Sequence, residues 1–265
     1  AGNIISDGSY ERANYPDAIL ATSGVRAYYR LDEAAGAATA ADSSPNALHG
    51  TYANGADAGL GSASAYPTLG SAVRLDGSND FVTLVQAAQL GLVGQSFTAM
   101  AWINGDGFPA SGDHSVVGTD DKLHLIVRNQ KLHLGFYGND TGGTQTLANQ
   151  TWYHVTYRYD AATGEQAMFL DGSLDRATTG HAAYSGIATN LVKIGSSLGS
   201  RYFDGLIDEV AFFERALSNA EIQALYSQAP LTTTTVAPSD LIKTGSGTLT
   251  LEGTNTYNGT TFVNE

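Results

Sequence analysis

The 265-residue sequence has no cysteine, few basic residues and no long apolar run. Without thiols there is no disulfide framework, no thiolate metal centre and no cysteine nucleophile, so burial alone must hold the fold. A chain of this size buries roughly 70–75% of its unfolded surface, which is enough. Basic side chains number 13 against 26 acidic ones, a formal charge of -13. That balance repels phosphates and excludes nucleic acid or an anionic membrane surface as partner. The apolar runs are a handful of residues long, far short of the ~18 a spanning helix needs, so no membrane insertion is expected. What is present is 42% hydrophobic and 15% charged residues, with 31 Gly and 14 Tyr. Such a composition suits strands joined by tight turns, and acidic loops suit calcium or neutral glycans.

Short runs rich in aromatic and β-branched residues recur between Gly, Asn and Asp clusters at 25–31, 72–76, 81–85, 96–103, 114–118, 122–128, 131–137, 152–159, 166–170, 190–195 and 205–213. This is the pattern of an antiparallel sandwich or barrel. Asp76-Gly77 and Asp171-Gly172 supply turns. The clearest hairpin is Lys122 to Tyr137, with Asn129-Gln130 at its tip pairing Arg128 with Lys131. Side-chain alternation then places Leu123, Leu125, Val127, Leu132, Leu134 and Phe136 in the core. The opposite face carries Lys122, His124, Ile126, Arg128, Lys131, His133, Gly135 and Tyr137, a basic patch on an acidic protein. A merely solvated face is the plain alternative. One helix is well signalled. Ser218 and Glu221 form a capping box, and Ile222, Leu225 and Tyr226 follow at helical spacing.

The predicted organisation is an N-terminal extension (1–24) with one short helical turn after Pro16, a sandwich (25–229), a Thr/Pro linker (230–240) and a tail (241–265) of two short strands. Three blocks carry a resemblance. They are Ala27-Tyr28-Tyr29-Arg30-Leu31-Asp32-Glu33 with Asp42-Ser43-Ser44-Pro45-Asn46; Ala72-Val73-Arg74-Leu75-Asp76-Gly77 through Trp102, Trp152 and Phe169-Leu170-Asp171-Gly172; and Phe203-Asp204-Gly205-Leu206-Ile207-Asp208-Glu209-Val210 through Arg215-Ala216-Leu217-Ser218. In order and spacing they resemble the laminin-G-like, concanavalin A-like jelly-roll family. The resemblance implies an all-β, two-sheet antiparallel sandwich with one short C-terminal helix, used for glycan or protein recognition and frequently carrying calcium. The tail, Lys243 to Leu251 with Asn255, Tyr257, Gly259 and Thr261, resembles the strand repeat of autotransporter passengers. A single such unit cannot bury a core, and it implies an origin in a longer surface protein.

Glycosidases need two carboxyl groups facing one another. The Glu-x-Asp-x-x-Glu strand of enzymes resembling this fold is absent, and Asp208, Glu209 and Glu214 are the nearest approach. Neighbouring strand residues point to opposite faces, which argues against a catalytic pair. There is no His-Glu-x-x-His zinc motif and no phosphate loop. Calcium is the expected cofactor, in a structural role. Asp42 to Asn46 is an oxygen-rich loop, Asp80 follows a turn, and the resemblance places Asp208 beside the early loop. The expected ligands are Asp42, Asn46, Asp80 and Asp208, against the alternative that these only close turns. Asp113, Asp120 and Asp121 form a second acidic cluster, expected to face solvent. For a glycan, the expected groove combines the hairpin residues His124, Arg128, His133 and Tyr137 with His154 and Arg158, provided the strand from Trp152 lies beside the hairpin. Trp102 is assigned to the core. The leading function is a noncatalytic carbohydrate-binding or adhesion module of a bacterial cell-surface or secreted protein, with a glycan or glycosylated partner. A spacer in an adhesin stalk and a divergent polysaccharide-active enzyme are the alternatives.

Overall fold

The computed structural model describes residues 15–228, 241–244 and 261–264. The chain divides into two compact units, Asn14–Pro230 and one holding the tail. In the larger unit a short helix, α1 (Tyr15–Ala21), precedes β1 (Val25–Tyr29), β2 (Thr39–Ala40), β3 (Gly50–Ala53), β4 (Ser62–Ala63), β5 (Ser71–Asp76), β6 (Phe81–Gln86) and β7 (Phe97–Gly105). There follow β8 (Asp113–Gly118), β9 (His124–Arg128), β10 (Lys131–Gly135), β11 (Asp140–Gly142), β12 (Tyr153–Asp160), β13 (Glu165–Leu170) and β14 (Ser173–Thr178). The unit ends with β15 (Leu191–Ile194), β16 (Ser196–Ser197), β17 (Arg201–Tyr202), β18 (Asp204–Phe213) and α2 (Asn219–Gln228).

Two antiparallel sheets stack as a jelly-roll sandwich. The first runs β14-β13-β12-β7-β18-β5-β4, with β1 also paired to β18; the second runs β11-β10-β9-β8-β15-β6-β3-β2. Alternation along the strands sends Phe97, Ala99, Ala101 and Ile103 of β7 and Val155, Tyr157 and Tyr159 of β12 into the layer between the sheets, where they meet Leu125, Val127, Leu132 and Leu134 of the second sheet. The first sheet is also covered on its outside. Met100 and Trp102 of β7, Phe169, Ala211 and Phe213 pack there against Tyr15 and Ile19 of α1 and Ile222 and Leu225 of α2. Burying a large apolar side chain contributes about 1.5–3 kcal/mol, so this second layer is a substantial part of the stability. The sandwich therefore begins at α1 and not at Val25. The expected extension up to residue 24 contributes core side chains from Tyr15 onward.

The capping box forms as the spacing predicts. Glu221 N–H donates to Ser218 Oγ at 3.2 Å, and Ser218 N–H donates to Glu221 Oε2 at 2.8 Å. Arg215 holds the same carboxylate at 2.6 Å. The hairpin also has its expected register, Arg128 opposite Lys131 and His124 opposite Gly135. Asn129 and Gln130 both take positive φ, 52° and 63°, the left-handed pair that suits the twist of a two-residue turn. In the other unit, β19 (Leu241–Thr244) and β20 (Thr261–Asn264) pair in parallel. The linker 230–240 lies outside the described residues. Among the described residues no helix is long and apolar enough to cross a membrane.

Candidate functional site

The outer face of the second sheet holds a pocket of about 130 Å³, lined by His124, Arg128, Tyr137, Gly138, Asp140, Leu198 and Arg201. Adjacent strands β9, β10 and β11 build its floor. His124 lies across Gly135, and a Cβ at that glycine would overlap the imidazole. The ring is 1% exposed and stacks on His133 with centroids 5.6 Å apart and planes 16° from parallel. Asp140 Oδ1 accepts the N–H groups of Phe136 and Asn139 at 3.0 and 3.2 Å, which turns Oδ2 toward the histidines. That oxygen is 3.5 Å from Nε2 of both His124 and His133.

Arg128 forks onto Asp113 through Nε and Nη2 at 2.6 and 2.9 Å, and its Nη1–H donates to His133 Nε2 at 2.9 Å. Arg201 binds the same aspartate at 2.5 Å. Burial lowers the pKa of both histidines, His133 to about 4 with the Arg128 charge adding to the effect. Both imidazoles are therefore neutral near pH 7 and present lone pairs. Burial would raise Asp140, but the imidazoles and the Asn139 N–H outweigh it and hold the carboxyl below its usual range. At the rim stands Tyr137, φ 65° and 70% exposed. Among the described residues it is the one exposed Phe, Tyr or Trp.

Four of the six expected glycan contacts, His124, Arg128, His133 and Tyr137, thus come together, although His124 and Ile126 are buried on a face expected to be open. His154 and Arg158 do not join them. Strand β12 lies between β7 and β13 in the first sheet, and its outer side is roofed by the helices. His154 is fully buried, with Nε2 3.0 Å from Tyr15 Oη and its ring 5.2 Å from that of Trp102. Arg158 donates to Leu217 O and Asn219 Oδ1, both at 2.8 Å, and to Glu165 at 2.5 Å, anchoring the start of α2. Both are structural, a correction to the groove expected from strand parity alone.

The expected calcium ligands do not assemble. Asp42 already accepts four hydrogen bonds at 2.8 Å, from Tyr28 N, Ser44 N, Ser44 Oγ and Leu48 N, which fills the lone-pair positions of a carboxylate. Asn46 turns its amide N–H to Arg26 O at 3.0 Å. Asp80 sits against Asp76 and Asp57, whereas Asp208 binds Ser64 and faces Asp32 and Arg30. These residues do not fit a shared ion held by Asp42 and Asp208. The turn reading accounts for Asp42 and Asn46. Asp208 and Glu209 sit at a β-bulge where Glu209 takes φ 53°, and both are completely buried. Burial raises both, Glu209 to about 9, so they form no open carboxylate pair.

The acidic cluster at Asp113, Asp120 and Asp121 is also not free. Asp113 holds two arginines, Asp120 binds Lys193 at 2.8 Å, and Asp121 accepts from Tyr184 Oη at 2.9 Å and Ile187 N at 2.7 Å. Asp140 and Arg201 are the charged pocket residues that the sequence did not single out. Asp140 had a local signal, since it lies three residues beyond Tyr137 and opens β11, the strand that pairs with β10. Arg201 had none, because it arrives on β17, some sixty residues further along the chain.

The sequence signature of the concanavalin A-like lectin/glucanases superfamily matches residues 76–223, and that of the passenger-associated-transport-repeat matches 241–265. No curated protein matches the chain. Among solved structures, domain 4 of AbnA, an extracellular GH43 arabinanase from Geobacillus stearothermophilus solved in complex with arabinotriose, is 19% identical. Its TM-score is 0.57, over 76% of this chain and 98% of that one. Trypanosoma rangeli sialidase, in complex with the inhibitor DANA, is 14% identical with a TM-score of 0.58, over 78% of this chain and 33% of the sialidase. Botulinum neurotoxin type C, solved in work on its cell entry through two ganglioside molecules, is 12% identical with a TM-score of 0.57, over 79% and 52%. At these identities the likeness shows the fold alone. With more than half of its length matched by the family signature and both sheets in place, the chain belongs to the concanavalin A-like lectin/glucanases superfamily.

Proposed function

We propose that the sandwich is a noncatalytic carbohydrate-binding module of a cell-surface or secreted bacterial protein, and that it holds a glycan on the outer face of the second sheet. The observation that carries this is Tyr137, fixed by its left-handed backbone and exposed at the rim of a pocket of fixed donors and acceptors. A flat ring beside planar hydrogen-bonding groups is what a sugar face and its hydroxyls require. The pocket lining contains a single carboxylate, Asp140, where glycoside hydrolysis uses two. Arabinotriose in the similar arabinanase domain and gangliosides for the similar neurotoxin support a sugar as ligand class. The passenger-type repeat at 241–265 supports a surface location, and it also favours a second reading, a spacer in an adhesin stalk.

A glycan array probed with the wild-type chain and with Tyr137→Ala tests the proposal. The expected result is binding that falls at least about tenfold in the variant, with melting unchanged because the side chain packs on nothing large. An array with no hit supports the spacer reading. A hit that Tyr137→Ala leaves intact moves recognition to another surface.

A further inference from the structure

We propose that His124, His133 and Asp140 form a binding site for a divalent first-row transition cation of the zinc class. One donor atom from each, on the adjacent strands β9, β10 and β11, lies within 4.8 Å of the donor atoms of the other two. The carboxylate oxygen is 3.5 Å from each imidazole nitrogen. Ligands about 2.05 Å from a tetrahedral ion are about 3.4 Å apart, so these two edges need almost no movement.

Each donor is already oriented. His124 Nδ1 lies 2.8 Å from the Lys122 carbonyl. A carbonyl only accepts, so Nδ1 carries the proton and Nε2 keeps its lone pair; outer-shell bonds of this kind fix the tautomer of metal-binding histidines. That Nε2 is buried and has no hydrogen-bond partner. An acceptor left without a donor at this depth is uncommon, and a cation satisfies it. Asp140 has one oxygen tied to two backbone N–H groups and the other free for the ion. His133 Nε2 holds its lone pair toward Arg128 Nη1 at 2.9 Å, so the ion displaces one hydrogen bond. Asp113 keeps that arginine occupied, and balances Arg201 as well.

The donor set decides the class of ion. Two imidazoles and one carboxylate are borderline ligands suited to zinc, cobalt, nickel or copper, whereas calcium and magnesium take oxygen. Three protein ligands leave a coordination position open to the pocket, where a water or an outside ligand completes the sphere. The inference goes beyond the glycan reading and does not depend on it, because the ion is bound by the chain's own atoms.

The test uses the full chain without an affinity tag, stripped with chelator and titrated with Zn2+ and Co2+ at pH 7.5. Expected are one site with a Kd of about 1 μM or tighter, the visible absorption of Co2+ in a low-symmetry N/O site, and no competition by excess Ca2+. His133→Gln and Asp140→Asn, both at partly exposed positions, each weaken binding by about tenfold or more. Arg128→Met strengthens it, because the competing donor and its charge are gone, while Arg201 still neutralises Asp113. A purely structural histidine cluster would show neither trend. Failure of the folded wild-type chain to bind stoichiometrically overturns the proposal, as does unchanged affinity in both His133→Gln and Asp140→Asn. No glycan is present, so neither result bears on sugar recognition.

Discussion

Burial of His154 beneath the two helices adds a pH-dependent contribution to the stability of the sandwich that one substitution can isolate. The ring is fully enclosed, shares one hydrogen bond with Tyr15 and leaves Nδ1 without a partner. Burial accordingly lowers its pKa from 6.5 to about 3. Between those values the unfolded chain binds a proton that the native state refuses, so the contribution of His154 to stability falls as pH falls below 6.5, and the loss is complete only near pH 3. From pH 7.5 to 5.5 the linkage integral is RT ln(11/1.1), about 1.4 kcal/mol for this one histidine. His154→Gln cannot titrate and keeps a polar end for Tyr15. Urea unfolding of both proteins at the two pH values, in chelator and followed by tryptophan fluorescence, gives the comparison directly. Whatever offset the substitution introduces cancels, as do contributions from the remaining histidines and from the buried Asp208 and Glu209 carboxyls. The wild type is expected to lose about 1.4 kcal/mol more than the variant over the interval. Equal losses would mean that His154 takes up its proton in the native state, and the sealed layer under α1 and α2 would be wrong.

Arg158→Ala removes the guanidinium that ties β12 to Leu217, Asn219 and Glu165, and leaves the Leu217 carbonyl without that donor. A loss of about 2–4 kcal/mol is expected from denaturant titration, well above the near-zero effect of a groove residue facing water. Truncation after Pro230 is expected to leave the melting temperature within about 2 °C of the full chain, since the larger unit carries both core layers. An insoluble or strongly destabilised product would show that the sandwich needs the tail.

The contrast between His133 and His154 shows which part of the site was legible in the sequence. Alternation is a rule within one strand, and it sorted both strands correctly: Val155, Tyr157 and Tyr159 point into the core and His154 and Arg158 away from it, just as Leu132 and Leu134 do relative to His133. For the hairpin that was sufficient, because a two-residue turn fixes the partner strand as well as the face. For β12 it was not. Its partner β7 lies some fifty residues earlier, and no local signal says which sheet receives a strand across that distance. Nor does alternation say what lies over an outward face. The helix α2 was legible from its capping box, but its landing place on Trp102 and Phe169 depends on the whole sandwich. The bulge at Asp208 and Glu209 marks a further limit, since one extra residue in β18 breaks the alternation that separates neighbours. The site could be read where covalent proximity dictates geometry, at His124, Arg128, His133 and Tyr137. It could not be read where non-local pairing brings in a donor, as Arg201 shows, or lays a helix over a face, as His154 shows.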